Sequence, residues 1–160
     1  MLKCQFENQQ PASLRHVTVH ALVVKDHRVL LVRRARHLTN GNLLCFPGGF
    51  VDRDETIAEA TLRELREETG YDGSISFLFS ICDNPNRRAE DRQNVAFTYV
   101  VELGEKVGKQ DQETTDLAWF DLDRLPPADE MAFDHLAHLN HYKEYLDTPD
   151  DFQLPIFIHQ

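Results

Sequence analysis

The stretch Gly48-Gly49-Phe50-Val51-Asp52-Arg53-Asp54-Glu55-Thr56-Ile57-Ala58-Glu59-Ala60-Thr61-Leu62-Arg63-Glu64-Leu65-Arg66-Glu67-Glu68-Thr69-Gly70-Tyr71 sets a helix between two glycine signals. A helix turns about 100° per residue. On that wheel Ile57, Ala58, Thr61, Leu62 and Leu65 make one apolar-leaning stripe. Glu55, Glu59, Arg63 and Arg66 lie roughly opposite and are expected to face water. Glu64, Glu67 and Glu68, at i, i+3 and i+4, share the border of the apolar stripe. Asp52 or Asp54 is expected to cap the start, where Glu55 suits the positive end of the helix dipole. Gly70 supplies the left-handed residue that ends the helix. The pattern predicts a helix over residues 55–69.

Three like charges on one stripe repel, so the arrangement calls for a cation. Carboxylate oxygens at a half-open site suit Mg2+, or Mn2+; with no Cys or close His pair beside them, Zn2+ is disfavoured. An acidic run on a helix is by itself usually a solvated face. Its setting outweighs that reading: Glu55 follows Gly49 by six residues, and Arg63-Glu64 follow Glu55 by eight and nine. The resulting pattern, Gly49, five residues, Glu55, seven residues, Arg63-Glu64-Leu65-x-Glu67-Glu68-x-Gly70, resembles the Nudix box of Nudix hydrolases. Only Tyr71 departs, standing where that family usually has an aliphatic residue.

The resemblance implies roles residue by residue. Glu67 and Glu68 match the principal metal-binding glutamates. Glu64 matches one that binds metal or acts as base, and the Gly48 carbonyl matches a backbone ligand. Gly49, Glu55, Arg63 and Gly70 match residues that support the loop–helix unit. Family members often add an acidic ligand or base outside the box; Glu113 is the first candidate, with Glu105, Asp111 and Asp116 as alternatives. The implied reaction is metal-dependent hydrolysis of a nucleoside diphosphate linked to a further group.

The net charge of −10 and pI of about 5.2 argue against general nucleic-acid or membrane binding. A small anionic substrate remains compatible, because bound divalent cations invert the local charge. No apolar run is long enough to span a membrane, and residues 1–11 lack a signal-peptide core. Cys4, Cys45 and Cys82 are far apart and odd in number, the usage expected of free thiols in a reducing cytoplasm.

The 160 residues are expected to form one domain, with an N-terminal segment over 1–12 and a tail over 147–160. Strands are predicted over 16–24 and 28–33, joined as a hairpin at Asp26-His27. Further strands are expected over 43–46, 74–82, 95–103 and 115–120, and a second helix over 129–146. Mixed strands with helices on both faces give an α/β fold, a three-layer α/β/α sandwich around a mixed β-sheet. The Nudix resemblance implies the same sandwich.

Four segments narrow the resemblance to the ADP-ribose pyrophosphatase-like branch: Arg15-His16-Val17-Thr18-Val19, Phe46-Pro47-Gly48-Gly49-Phe50-Val51, Asp83-Asn84-Pro85-Asn86-Arg87 and Phe133-Asp134-His135. The branch implies ADP-ribose as substrate, AMP and ribose 5-phosphate as products, and a homodimer. Two alternatives stand beside it: a nucleoside triphosphate pyrophosphohydrolase of the nucleotide pool, and a non-catalytic nucleotide sensor. Arg33, Arg34, Arg87 and Arg92 are the candidate phosphate contacts, since guanidinium forks match phosphate oxygens. Phe6, Phe50 and Phe133 are candidate walls for an adenine. His135, His138 and His141 step around a helix without converging, so they are expected on a polar face, with His135 near the substrate by resemblance. The apolar segment 154–158 is expected to cover the core or join a dimer interface.

Overall fold

The computed structural model describes residues 2–87 and 93–159. A hairpin of β1 (Leu2–Gln5) and β2 (Pro11–Leu14) precedes β3 (Val17–Leu22), β4 (Val24–Lys25) and β5 (Arg28–Arg34). Then come β6 (Leu44–Cys45), β7 (Gly48–Phe50) and α1 (Ile57–Thr69). The long strands β8 (Tyr71–Cys82) and β9 (Val95–Lys106) lead to β10 (Thr114–Asp121). The chain closes with α2 (His135–Asp147) and β11 (Ile156–Ile158). One sheet runs β11-β8-β9-β3-β7, and a second is built on β10-β5-β4 with β6 beside β5. The first is mixed: β3 lies parallel to β9 and antiparallel to β7.

Strand alternation sends neighbouring side chains to opposite faces. Leu22, Val29, Leu31, Phe79 and Val100 meet Leu139 and Tyr142 of α2. Ala21, Val23, Leu30 and Val101 meet Leu65 of α1, with Trp119 packed against them. The helices therefore cover opposite faces, and the expected sandwich is observed. Ile75 and Phe77 should share a face but pack in different clusters; a register shift between them in the β8–β9 ladder turns the strand over. Among the described residues no helix is long and apolar enough to cross a membrane.

Three expectations change. The predicted hairpin exists only at its tip, where Val24 pairs with Val29 and Lys25 with Arg28. Before that tip β3 departs into the other sheet to pair with β9. The cap of α1 is Thr56 rather than Asp52 or Asp54. Thr56 and Glu59 satisfy each other's backbone N–H groups, a reciprocal capping box that outcompetes a single aspartate. Gly70 does end α1 in the left-handed region, at φ 76°. The second helix starts at His135, six residues later than predicted. The segment before it is taken by Leu44, which donates to the Glu130 carbonyl and accepts from Ala132 N–H, both at 2.8 Å. Phe133 then adopts φ 53°, outside helical geometry.

Candidate active site

Glu64, Glu67 and Glu68 differ sharply in exposure although they share one stripe. Glu68 is 3% exposed. It lies under β7, where the Gly48 N–H donates to its Oε2 at 2.9 Å. Glu64 is partly buried and Glu67 half exposed. Burial pushes the Glu68 carboxyl well above the ordinary value; the Gly48 hydrogen bond offsets part of this, and the charges of Glu64 and Asp111 add to it. Burial also raises Glu64, against the pull of Arg63.

Arg63 does not face water. Its guanidinium reaches Glu55 at 2.7 Å, Glu64 at 2.8 Å and Glu67 at 3.0 Å, and donates to the Phe50 carbonyl at 3.0 Å. Glu55 is likewise sheltered, and its hydrogen bond to Arg63 lowers its pKa. It also accepts from the Asp52 N–H, so it ties the turn to the helix. The helical wheel missed both because the β7 turn folds back over that side of α1.

Two glycines let β7 come this close. A Cβ on Gly48 would stand 2.1 Å from the Val19 carbonyl oxygen, and one on Gly49 would stand 2.4 Å from Glu64 Oε1. Gly70 and the segment after β9 complete the frame. Val107 and Gly108 donate to the Gly70 carbonyl, Asp111 N–H to the Glu67 carbonyl, and Thr114 Oγ1 to the Glu68 carbonyl. These bonds satisfy the open carbonyls at the helix end. They also bring Asp111 and Glu113 to the glutamates, whereas Glu105 and Asp116 do not line the cleft.

The cleft holds about 320 Å³. Glu64, Glu67, Asp111 and Glu113 line one part; Thr18, His20, Phe46, Asn94 and His135 also line it. Phe133 has two guanidiniums against its ring, Arg34 at 5.4 Å and Arg87 at 5.7 Å. Arg87 is 5% exposed and forks onto Asp134, with Nε to Oδ2 at 2.8 Å and Nη2 on Oδ1. Arg33 is not brought to the cleft: it donates to the Asn42 carbonyl at 2.7 Å, bracing its own loop. Strand alternation points Arg33 and Arg34 to opposite sides, so only one of the pair could arrive. Arg92 lies outside the described residues. Of the aromatic candidates, Phe50 and Phe133 line the cleft and Phe6 does not.

The polar-face reading of the histidines also changes. His135 and His138 are 1% and 0% exposed, while His141 stays at the surface beside Glu144. The later start of α2 puts residues 135, 138, 139 and 142 on its buried side. His138 Nδ1 lies 2.9 Å from Ser80 Oγ, and His20 Nδ1 lies 3.4 Å from Thr98 Oγ1. The sequence alone singles out neither His20 nor the Thr18 side chain for the site; their place on β3, opposite Gly48 and Phe50 of β7, depends on a register that only the fold supplies.

Among the described residues, three ligand-type atoms converge within 4.8 Å at Cys82–Asp134–His138 and at His27–Asp121–Asp123, not at the helix glutamates. At the first, Arg87 already supplies the counter-charge, and burial pushes the Cys82 thiol up to about 12. The second is an exposed surface group. The helix glutamates stay apart because Arg63 holds Glu64 and Glu67 while Glu68 holds Gly48. Their chemistry fits a hard divalent ion: oxygen donors only, one of them a buried carboxyl whose charged form a cation would stabilise.

Residues 14–142 match the NUDIX domain family. Over 131 residues the chain is 30% identical to an ADP-ribose pyrophosphatase of Methanocaldococcus jannaschii, covering 81% of this chain and 73% of that one. It is 32% identical over 119 residues to an 8-oxo-dGTP diphosphatase of Escherichia coli, covering 72% of this chain and 90% of that one. The NUDIX domain of Shewanella oneidensis NrtR, solved in complex with ADP ribose, superposes with a TM-score of 0.67 at 27% identity, covering 83% of this chain and 89% of that one. Nudix hydrolases generally use divalent metal ions. The family match runs from the end of β2 into α2 and takes in the elements around the cleft, and so the chain belongs to the Nudix hydrolases.

Proposed function

We propose that this chain is a Mg2+-dependent pyrophosphohydrolase that cleaves ADP-ribose to AMP and ribose 5-phosphate. The observation that carries this reading is one cleft lined by Glu64 and Glu67 of α1, with Glu68 buried behind the Gly48 that also lines it, and by Arg34 and Arg87, which flank Phe133. Glu67, Glu68, Glu64 and the Gly48 carbonyl are the proposed ligands, and Mn2+ would suit the same oxygens. Bound there, the ion would neutralise phosphate oxygens and lower the pKa of the attacking water. The water oxygen attacks one phosphorus, the bridging P–O bond breaks, and the leaving phosphate keeps the electron pair. Glu113 is the proposed acceptor of the water's proton, with Asp111 hydrogen-bonded to its backbone N–H at 2.9 Å. Arg34 is the proposed anion contact, and Arg87, neutralised by Asp134, is proposed to hold Phe133 beside it. The free thiols Cys4, Cys45 and Cys82 fit a cytoplasmic location.

Gly49→Ala tests the close approach of β7. The new methyl would meet the Glu64 carboxylate rather than backbone. The side chain can swing away, so the melting temperature should change little. Displacing that carboxylate by about 1 Å should lower kcat by about a hundredfold. Activity near the wild-type level would remove Glu64 from the metal site.

The substrate is tested by incubating the protein and Mg2+ with ADP-ribose, NADH, diadenosine polyphosphates, sugar nucleotides and nucleoside triphosphates. AMP plus ribose 5-phosphate from ADP-ribose is the expected result. A second reading, hydrolysis of nucleoside triphosphates, is favoured by the likeness to the 8-oxo-dGTP diphosphatase; preferential release of pyrophosphate from a triphosphate would select it. Tight binding of one compound with no turnover would overturn both in favour of a sensor.

A further inference from the structure

Two buried polar atoms on residues lining the cleft have no hydrogen-bond partner among the described residues: Thr18 Oγ1 and His135 Nε2. The state of the histidine follows from its other nitrogen. The Phe46 N–H donates to His135 Nδ1 at 3.0 Å, so Nδ1 carries no proton. Burial, with the charge of His20 adding to it, pushes the His135 pKa well below the ordinary value, so the ring is neutral. A neutral imidazole with a bare Nδ1 carries its proton on Nε2. The unpartnered atom is therefore a hydrogen-bond donor. Phe46 stacks on the ring at 4.7 Å and fixes its orientation, and His20 packs against it edge-on at 4.4 Å.

Buried polar groups in folded proteins are paired almost without exception. His135 lines the cleft, and its orphaned donor, sealed from solvent here, is placed to pair with a ligand atom once a neighbouring cleft side chain shifts. A phosphate is a poor occupant for it, because the ring is uncharged and Arg34 offers charge in the same cleft. The aromatic rings of Phe50 and Phe133 suit a flat neutral ring whose edge accepts hydrogen bonds. We propose that His135 Nε2–H and the Thr18 hydroxyl form the subsite that reads the acceptor edge of a purine base. This deepens, and rests on, the ADP-ribose reading.

The test is calorimetric titration of AMP and of ribose 5-phosphate into wild type and three variants, with melting curves of each. In His135→Asn the amide oxygen can replace Nδ1 as acceptor for Phe46 N–H while the Nε2 donor is lost. AMP affinity should fall about tenfold, with ribose 5-phosphate affinity unchanged. His135→Gln, whose amide nitrogen reaches toward the Nε2 position, should recover part of the loss. Thr18→Val removes an unpartnered hydroxyl at constant shape, so it should weaken AMP severalfold while the melting temperature holds or rises. A residue that only supported the fold would move stability and binding down together. Wild type that does not prefer AMP over ribose 5-phosphate, or a His135→Asn protein that keeps the preference, overturns the subsite. Failure of the hydrolase reading shows separately, as absence of ADP-ribose turnover by a protein that still discriminates AMP.

Discussion

Glu68→Gln is expected to lower kcat by about a thousandfold, an increase of about 4 kcal/mol in the barrier, while the fold stays intact. Glutamine is nearly isosteric and keeps an oxygen to accept the Gly48 N–H that now bonds Oε2 at 2.9 Å. What disappears is a buried negative charge. That charge is costly in the free protein, where burial pushes the carboxyl well above its ordinary pKa. The variant should therefore melt no lower than wild type without added metal. The added stability that Mg2+ gives wild type should shrink in the variant, because an ion that binds only the folded state stabilises it in proportion to its affinity. Steady-state kinetics and melting curves with and without Mg2+ check both halves. Near-full activity, or an undiminished Mg2+ response, would take Glu68 out of the metal site.

Asp134→Asn is expected to cost about 3–5 kcal/mol of stability, because it leaves the buried Arg87 guanidinium without its forked carboxylate. For a chain of this length that is a drop of about 10 °C in melting temperature. Burial works against ionisation of Asp134, but the neighbouring His138 and Arg87 prevail and hold its carboxyl far below the ordinary carboxylate range. The sign follows from that depression. In the unfolded chain an aspartate titrates near about 3.9. The pair's contribution is thus complete above that pH and is lost as pH falls below it. Wild type should lose stability steeply below about pH 4, and the variant should show a flatter acid limb. Replacing both partners, Arg87→Met with Asp134→Leu, should recover much of the loss, since a well-packed apolar pair removes the unpaired charge. A single variant as stable as wild type would mean that Arg87 does not depend on Asp134.

The box was legible because its geometry is local. The spacing of Gly49, Glu55, Arg63 and the three glutamates is a property of one turn and one helix, and Gly70 ended that helix where the pattern placed it. The two faces of the sandwich were legible for the same reason, since period-two strands and a period-3.6 helix announce which side is apolar. Long-range contacts were not legible. Arg63 was assigned to water because a helical wheel cannot know that the Phe50 carbonyl lies above it. The start of α2 was misread because Leu44, far away in sequence, claims the backbone of residues 130 and 132. His135 and His138 looked polar because composition does not show which face a neighbouring strand covers. Arg33 and Arg34 could not be separated until β5 had a partner on each side.

Arg15 grips the chain on both sides of the segment that carries Pro85 and Arg87. Its guanidinium donates to the Asp83 carbonyl at 2.6 Å on one side, and to the Gln93 and Asn94 carbonyls on the other. One side chain thereby fixes the two ends of that segment against each other, independently of what lies between them. Between those ends the segment is pinned a third time, by the fork of Arg87 onto Asp134. Changes of length or charge that spare Asp83, Arg87, Gln93 and Asn94 leave every one of these anchors in place. Closing a longer loop costs little more than closing a short one. Variation at such a place is mechanically insulated from the glutamate helix, because the anchors that fix the segment are none of the residues that fix α1.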